Sequence, residues 1–378
     1  MNTSALSSIR VVDFSQVMAG PFCTRLLADV GAEVVKVEPV GGEAMRVRPP
    51  LRSGYSAYFG ALNAGKRSVE IDLKSDEGRA QALALAESAD VVVENFRPGV
   101  MDRHGLGWDK LSKINSRLIF CSISGFGQEG QAATRPAYAP MIHAASGFDL
   151  AQMSFAVNAR APAPTGMFFA DVLAGIYAWG AIQTALFERE KTGDGQRIDV
   201  ALLDSIMSMM VYECQEAQFP QARKRHVYIP VKARDGFIVT VPLSHKNFTG
   251  LANLLGNPEW TQESAYKDTV SREQNWASMM VHVENWTRDR SAQECAEALM
   301  NAGVPTSRYC SVEEEIASSA AQERGIMGEI EDGAGRYTAP NPPFRMSVTQ
   351  SRIRRQVPEL GEANAEILSA LNPQNRPS

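Results

Sequence analysis

The run Ile9-Arg10-Val11-Val12-Asp13-Phe14, the helix-forming segment Pro21–Val30 and the run Glu33-Val34-Val35-Lys36-Val37-Glu38 together decide the fold. Two valine-rich runs flank one segment of helix formers. Nearly continuous apolar strands of this kind belong to a parallel sheet covered on both faces. Parallel neighbours need a crossover connection, and the intervening helix supplies one.

Outward from this unit the alternation continues. Ser68–Leu73 reads as a strand, Asp76–Ser88 as a helix and Val91–Val93 as a buried strand. Leu106–Asn115 then reads as a helix, and Leu118–Ser122 as the next strand. The pattern predicts an α/β protein whose large, Rossmann-like domain is built on a parallel sheet. Met167–Phe187 is almost wholly apolar, broken only by Asp171, Gln183 and Thr184, and is long enough to span a bilayer. No second segment of this kind occurs, and Gly175, Ala178, Gly180 and Ala181 suit close packing against protein, so a buried helix is expected. A turn at Lys191–Gln196 leads into the apolar run Arg197–Leu203.

Composition shifts mark the domains. Residues 1–214 form the N-terminal part of the large domain, and 215–226, polar and basic with Pro220, form a linker. Residues 227–316 make a smaller α+β domain that opens on a hairpin around Arg234-Asp235-Gly236. Residues 317–378 are a linker and a return to the large domain, with a short terminal helix at Glu362–Leu371.

Of the 378 residues, 44% are hydrophobic and 21% charged, which is the composition of a globular protein and not of a disordered or fibrous one. A net charge of −5 argues against nucleic acid as a partner. Cys23, Cys121, Cys214, Cys295 and Cys310 are odd in number and form no CxxC pair, so neither a disulfide framework nor a zinc site is expected, and a reducing cytoplasm fits. Met1–Arg10 lacks the order of a signal peptide. The five histidines are scattered, no metal site is expected, and no G-x-S-x-G elbow occurs.

Three features carry chemistry. Gly125-Phe126-Gly127-Gln128-Glu129-Gly130 matches G-x-G-x-x-G, but a dinucleotide fingerprint needs a helix to start there, and Pro136 and Pro140 bar a long one. A plain glycine loop is the reading, with a nicotinamide-dependent oxidoreductase as the rival. Lys36, Arg46, Lys66, Arg67, Lys74, Arg97 and Arg103 form a basic set, several just after strands, where open parallel sheets bind ligands. Asp171 sits near the start of the long helix, where the macrodipole favours a carboxylate and burial opposes it. On local grounds it is either a helix-start residue satisfying backbone amides or a functional carboxylate.

The segments Val11-Val12-Asp13-Phe14-Ser15-Gln16-Val17-Met18-Ala19-Gly20-Pro21 and Gly31-Ala32-Glu33-Val34-Val35-Lys36-Val37-Glu38 resemble the opening of the class III coenzyme A transferases. Formyl-CoA and carnitine CoA-transferases belong to this superfamily, as do the α-methylacyl-CoA racemases. The likeness extends through Asn63–Ser68, Ile71–Lys74, Val93–Gly99 and Lys191–Gln196 to Leu360-Gly361-Glu362, and is thin between Gln215 and Asn301.

The resemblance implies that Asp171, in Ala170-Asp171-Val172-Leu173-Ala174-Gly175, is the catalytic nucleophile. It would attack an acyl-CoA thioester and pass CoA to a free carboxylic acid through aspartyl anhydride and aspartyl-CoA thioester intermediates. Coenzyme A is then a substrate, with no prosthetic group, and the partners are an acyl-CoA, a carboxylic acid and a second copy in an interlocked homodimer, without a membrane. CoA contacts would fall on Gln16, Val17, Met18, Ile71, Asp72, Leu73, Lys74, Asn95, Phe96, Arg97, Arg103 and Tyr138. Lys74, Arg97 and Arg103 would hold phosphates. Some relatives carry a glycine-rich lid; the comparable Gln221–His226 has no glycine, so no lid is assigned. Pro39 stands where formyl-CoA transferases have a basic residue, which disfavours formyl-CoA and oxalate. The racemase alternative needs a histidine in a Gly-His-Asp setting; here Gly147-Phe148-Asp149 occupies that place and His143 lies nearby.

Overall fold

The structure, a computed structural model, describes residues 4–156, 159–162, 165–220 and 227–371. It divides into two compact units, Met1–Pro220 with Gln322–Ser378, and Gln221–Ala321.

The larger unit is built on a six-stranded sheet of β1 (Arg10–Asp13), β2 (Glu33–Glu38), β3 (Arg67–Glu70), β4 (Val91–Glu94), β5 (Ile119–Ser124) and β6 (Gln196–Ala201). The strand order is 3-2-1-4-5-6, and every neighbouring pair is parallel. This is the doubly wound order, in which the chain reverses its direction across the sheet between β1 and β4. Val11 faces Val34 and Val91 in register, and Val12 faces Val35 and Val92.

Alternate residues of each strand bury into opposite cores. Val11, Val34, Val91 and Ile119 join Leu27, Ala178 and Ile182, while Val12, Val35, Val92 and Phe120 join Leu85, Leu106 and Leu111. Burial on both faces is the reason the strands read as unbroken apolar runs.

The helices of this unit that bear on the site are α1 (Ala19–Asp29), α2 (Ala57–Asn63), α3 (Asp76–Glu87), α4 (Trp108–Ile114), α5 (Ala139–Ala145), α6 (Phe148–Phe155) and α7 (Phe169–Thr192). α1 starts two residues earlier than the sequence suggests, because Pro21 is tolerated in a first turn, where amides have no intrahelical partner. β3 stops at Glu70: Asp72 then accepts the Lys74 amide in a tight turn, and Ser75 caps α3 through the Gly78 amide.

Helix α7 corrects the expectation of a buried helix. Ala170, Ala174, Ala178, Ile182 and Ala185 are buried along one face, whereas Ile176, Tyr177 and Phe187 on the other are exposed. Composition cannot say which apolar face the chain itself covers. By length and composition this helix could also cross a membrane. The small residues work as expected, since a Cβ on Gly175 would lie 2.7 Å from the Ala19 carbonyl oxygen of α1.

Two further expectations need correction. Part of the expected 215–226 linker, Gln215–Gln218, closes a helix, Val211–Gln218, which has no buried residue; an exposed polar helix and a linker share one composition. Residues 221–226, including the lid comparison, lie outside the described residues. At the C-terminal end Asn364–Leu368 forms a π-helical turn, not a regular helix, and buries Ile367.

The smaller unit holds a three-stranded antiparallel sheet of β7 (Val231–Lys232), β8 (Phe237–Thr240) and β9 (Thr306–Arg308), with β8 central. Lys232 pairs with Phe237, so the turn falls at Arg234-Asp235-Gly236 as read from the sequence. Helices His245–Leu254, Trp276–Thr287 and Ala292–Asn301 pack on it around Phe248, Met279 and Leu299.

Candidate active site

Because β1 and β4 are neighbours whose connections depart in opposite directions, a crevice opens at their carboxyl ends. Ser15–Met18 leave β1 there, and Asn95–Arg97 leave β4. The two loops are laced together: Asn95 Oδ1 accepts the Gln16 amide at 2.8 Å, and Asn95 Nδ2 donates to the Gln16 carbonyl at 2.7 Å. The glycine loop after β5 forms a third wall and runs without a helix to Tyr138, which precedes α5. The start of α7 closes the crevice.

A cavity of about 210 Å³ results, lined by Gln16, Val17, Asn95, Arg97, Tyr138 and Asp171 among others. Phe96 lines it as well, so seven of the residues expected from the sequence converge on one place. Met18, directly before α1, does not line it; its sulfur accepts from the Tyr58 hydroxyl at 3.1 Å. Ile71, Asp72, Leu73 and Lys74 follow β3, two strands away from β1, and do not line the cavity. Arg103 ends the short turn Val100–Arg103 and is also outside it. Arg97 borders a second, polar cavity of about 190 Å³ with Glu94, Asp102 and Arg197.

The basic set sorts into two groups. Lys36 pairs with Glu43, Lys66 with Asp13, Arg46 with Glu38 and Arg67 with Glu366, so these four are held by carboxylates of the fold. Burial brings the Lys66 ammonium down to about 8, against the pull of Asp13 at 2.9 Å. Lys74, Arg97 and Arg103 remain exposed.

Asp171 occupies the first turn of α7 and is half-buried. Burial pushes its carboxyl up to about 6, while a hydrogen bond from the Ala139 amide opposes the rise. The carboxylate is therefore more basic than an exposed one, yet ionised at neutral pH. A basic, poorly hydrated carboxylate is a better nucleophile than a solvated one. Phe169 beside it packs against Phe148 and His143, with ring centroids 5.6 and 6.1 Å away.

His143 is fully buried, and its Nε2 accepts the Ala170 amide at 3.2 Å. Accepting there places the ring proton on Nδ1 in the neutral form. Burial lowers its basicity, with Asp149 acting in the opposite sense. The ring thus holds the amide next to Asp171.

Three residues of the site escaped the sequence reading. Tyr58, on α2, has its hydroxyl pushed up by burial and then by the charge of Asp171. Arg135 lines the cavity from the segment between Gly130 and Tyr138. Ser124, at the end of β5, lines it with a buried hydroxyl that has no hydrogen-bond partner among the described residues. None belongs to a recognisable motif; only for Ser124 did a signal exist, its place at a strand's carboxyl end.

Comparison with known proteins identifies the family. The model of CoA-transferase family III matches residues 6–364. Succinate–glutarate CoA-transferase of Agrobacterium fabrum is 33% identical, with 97% of this chain and 95% of that one covered. The succinyl-CoA–L-malate CoA-transferase beta subunit of Chloroflexus aurantiacus is 32% identical, over 98% and 94% of the two chains. Among solved structures, a CAIB/BAIF family protein from Brucella suis superposes with a TM-score of 0.86 at 32% identity, covering 98% of this chain and 100% of that one.

Proposed function

The chain belongs to CoA-transferase family III and is an enzyme acting on acyl-CoA and carboxylate; from that premise we propose that Asp171 carries CoA between a dicarboxylic acyl-CoA and a free acid. An Asp171 carboxylate oxygen attacks the thioester carbonyl carbon, the C–S bond breaks, and CoA leaves as the thiolate. The thiolate then attacks the aspartyl carbonyl of the mixed anhydride, releasing the donor acid and leaving an aspartyl-CoA thioester. The acceptor carboxylate attacks that thioester in turn, and the returning thiolate takes the new acyl group and frees Asp171. Every step exchanges one activated acyl bond for another, so the sequence divides a hard transfer into easier ones.

The observation that carries the reading is Asp171 itself, half-buried at a helix start, raised to about 6 and lining the switch-point cavity. The half-buried Phe168 and Phe169 limit water at the anhydride, which would otherwise hydrolyse. Gln16, Val17, Met18, Asn95, Phe96 and Tyr138 hold the pantetheine arm and neighbouring parts of CoA. Lys74, Arg97 and Arg103, exposed cations on the segments that follow β3 and β4, meet its phosphates. Ile71–Leu73 steer the Lys74 turn. The dicarboxylic class rests on the succinate–glutarate and succinyl-CoA–L-malate CoA-transferases among the relatives and on Arg135, a cation bordering the cavity.

Transfer is favoured over racemisation because Phe148 cannot carry a proton and Nε2 of His143 is engaged by the Ala170 amide. A nicotinamide-dependent reaction finds no helix start at the 125–130 glycines. A cytoplasmic homodimer completes the proposal, supported by the free thiols Cys23 and Cys121 and by the exposed apolar face of α7. Borohydride or hydroxylamine added during turnover with succinyl-CoA and a dicarboxylate should modify Asp171, as read by peptide mass. Turnover with no modification there would remove Asp171 from the mechanism.

A further inference from the structure

Val17 has a backbone φ of +68°, one of only two non-glycine residues with positive φ among the described residues. For a β-branched side chain this is a true outlier, and such strain persists only where surrounding structure imposes it. The side chain is 43% exposed and borders the Asp171 cavity, so packing of the side chain does not impose it.

The backbone around Val17 shows what does. The Val17 amide donates to Glu43 Oε2 at 3.0 Å. The other oxygen of Glu43 faces Lys36 Nζ at 3.0 Å, and both of these side chains are almost completely buried. Lys36 Nζ also donates to the Ser15 carbonyl at 3.0 Å. With Asn95 holding both polar groups of Gln16, three successive residues are each gripped by a side chain from elsewhere in the fold. Glu43 itself stands after β2, outside the cavity.

We propose that the buried Lys36–Glu43 pair is a clamp that forces Val17 into the left-handed conformation and so presents the 16–18 loop to the acyl-CoA. Glu43 is a positioning residue for the transfer, and the kinetic part of this statement rests on the Asp171 reading. The ion pair is costly to bury and lies outside the cavity, yet it satisfies the Val17 amide, whose peptide plane must turn over for φ to become negative while α1 stays in place. Without the clamp, valine prefers the right-handed or extended regions, and the binding-ready loop becomes a minor state that lowers apparent affinity by its fraction.

Glycine adopts positive φ without steric cost, so it separates a conformational role from general stability. The clamp is removed with Lys36→Met together with Glu43→Met, which leaves no unpaired buried charge. In the Val17 chain this should lower kcat/KM for the acyl-CoA about tenfold, mainly through KM. In a chain already carrying Val17→Gly, the same clamp removal should cost less than about twofold. Equal losses in both backgrounds would overturn the proposal, as would no loss in the first. Crystal structures of the Val17 chain with and without the clamp give a readout independent of turnover. A Val17 φ that turns negative on clamp removal supports the proposal even if the transferase reading fails, and a φ that stays near +68° overturns it.

Discussion

The backbone amide of Ala170 donates to Nε2 of the buried His143, 3.2 Å away, while the amide of Ala139 donates to Asp171, the residue after Ala170. Helices α5 and α7 therefore satisfy each other's first turns, and the Asp171 carboxylate is held from both. Helix starts leave amides without intrahelical partners, and this exchange uses two of them to aim one carboxylate.

That relation makes His143 a positioning residue. His143→Leu leaves the Ala170 amide buried without an acceptor, which should cost about 1–3 kcal/mol of stability. His143→Gln retains an acceptor oxygen and should recover most of it. Urea midpoints of the two variants measure the difference. A matching drop in kcat for His143→Leu, with KM little changed, would place the effect at Asp171 and not at CoA.

On the proposed role of Asp171, the acid limb of the rate profile should follow its carboxyl. Because its carboxyl titrates at about 6, kcat/KM should fall about tenfold per pH unit below that point and be level above it, as Asp171 becomes protonated. A profile level down to pH 4.5 would contradict this assignment.

The same residue costs stability. A folded value of about 6 lies above the ordinary 3.8, so the folded chain binds the proton more tightly than the unfolded chain. Stability contributed here declines as pH rises from about 4 to 6, and the full cost stands above 6. Asp171→Asn should therefore be inactive yet more stable at pH 8 by about 1 kcal/mol, discounted for partial exposure, and no more stable at pH 3.5. Denaturation at the two pH values decides it.

Arg97→Ala and Arg103→Ala should each raise KM for the acyl-CoA about tenfold with kcat nearly constant, since phosphates lie far from the reacting carbonyl. Dephospho-CoA substrates would reveal which arginine meets which phosphate. An unchanged KM in both variants would relocate the phosphate site.

Gly175→Leu should unseat the helix pair α1–α7, because even a Cβ would come within 2.7 Å of the Ala19 carbonyl. Overpacking at such a contact costs about 1–3 kcal/mol. Both the Met18 end of α1 and the Asp171 end of α7 would shift, so activity should fall more than the melting temperature alone explains.

Much of the architecture was legible because it follows from local chemistry. Valines 11–12, 34–35 and 91–93 are buried on both strand faces, and two-sided burial leaves an unbroken apolar run that needs no structure to see. Ser75 before Asp76, and Gly193 after α7 with its φ of +83°, mark helix ends by the same kind of short-range rule. The family motifs pointed to Asp171 and to the residues of the 16–18 and 95–97 loops.

The chain order by itself thus determined the parallel sheet and the helix that carries Asp171. Tertiary structure alone decided which cations are spent in the fold, Lys36 and Lys66 among them, and which stay exposed. It also decided that Arg135 and Ser124 line one cavity with Asp171, that Tyr58 feels the charge of Asp171, and that Glu43 reaches the Val17 amide. The physical reason is range: strand and helix preferences act over a few residues, whereas burial, ion pairing and a raised carboxyl arise only when distant segments exclude water together.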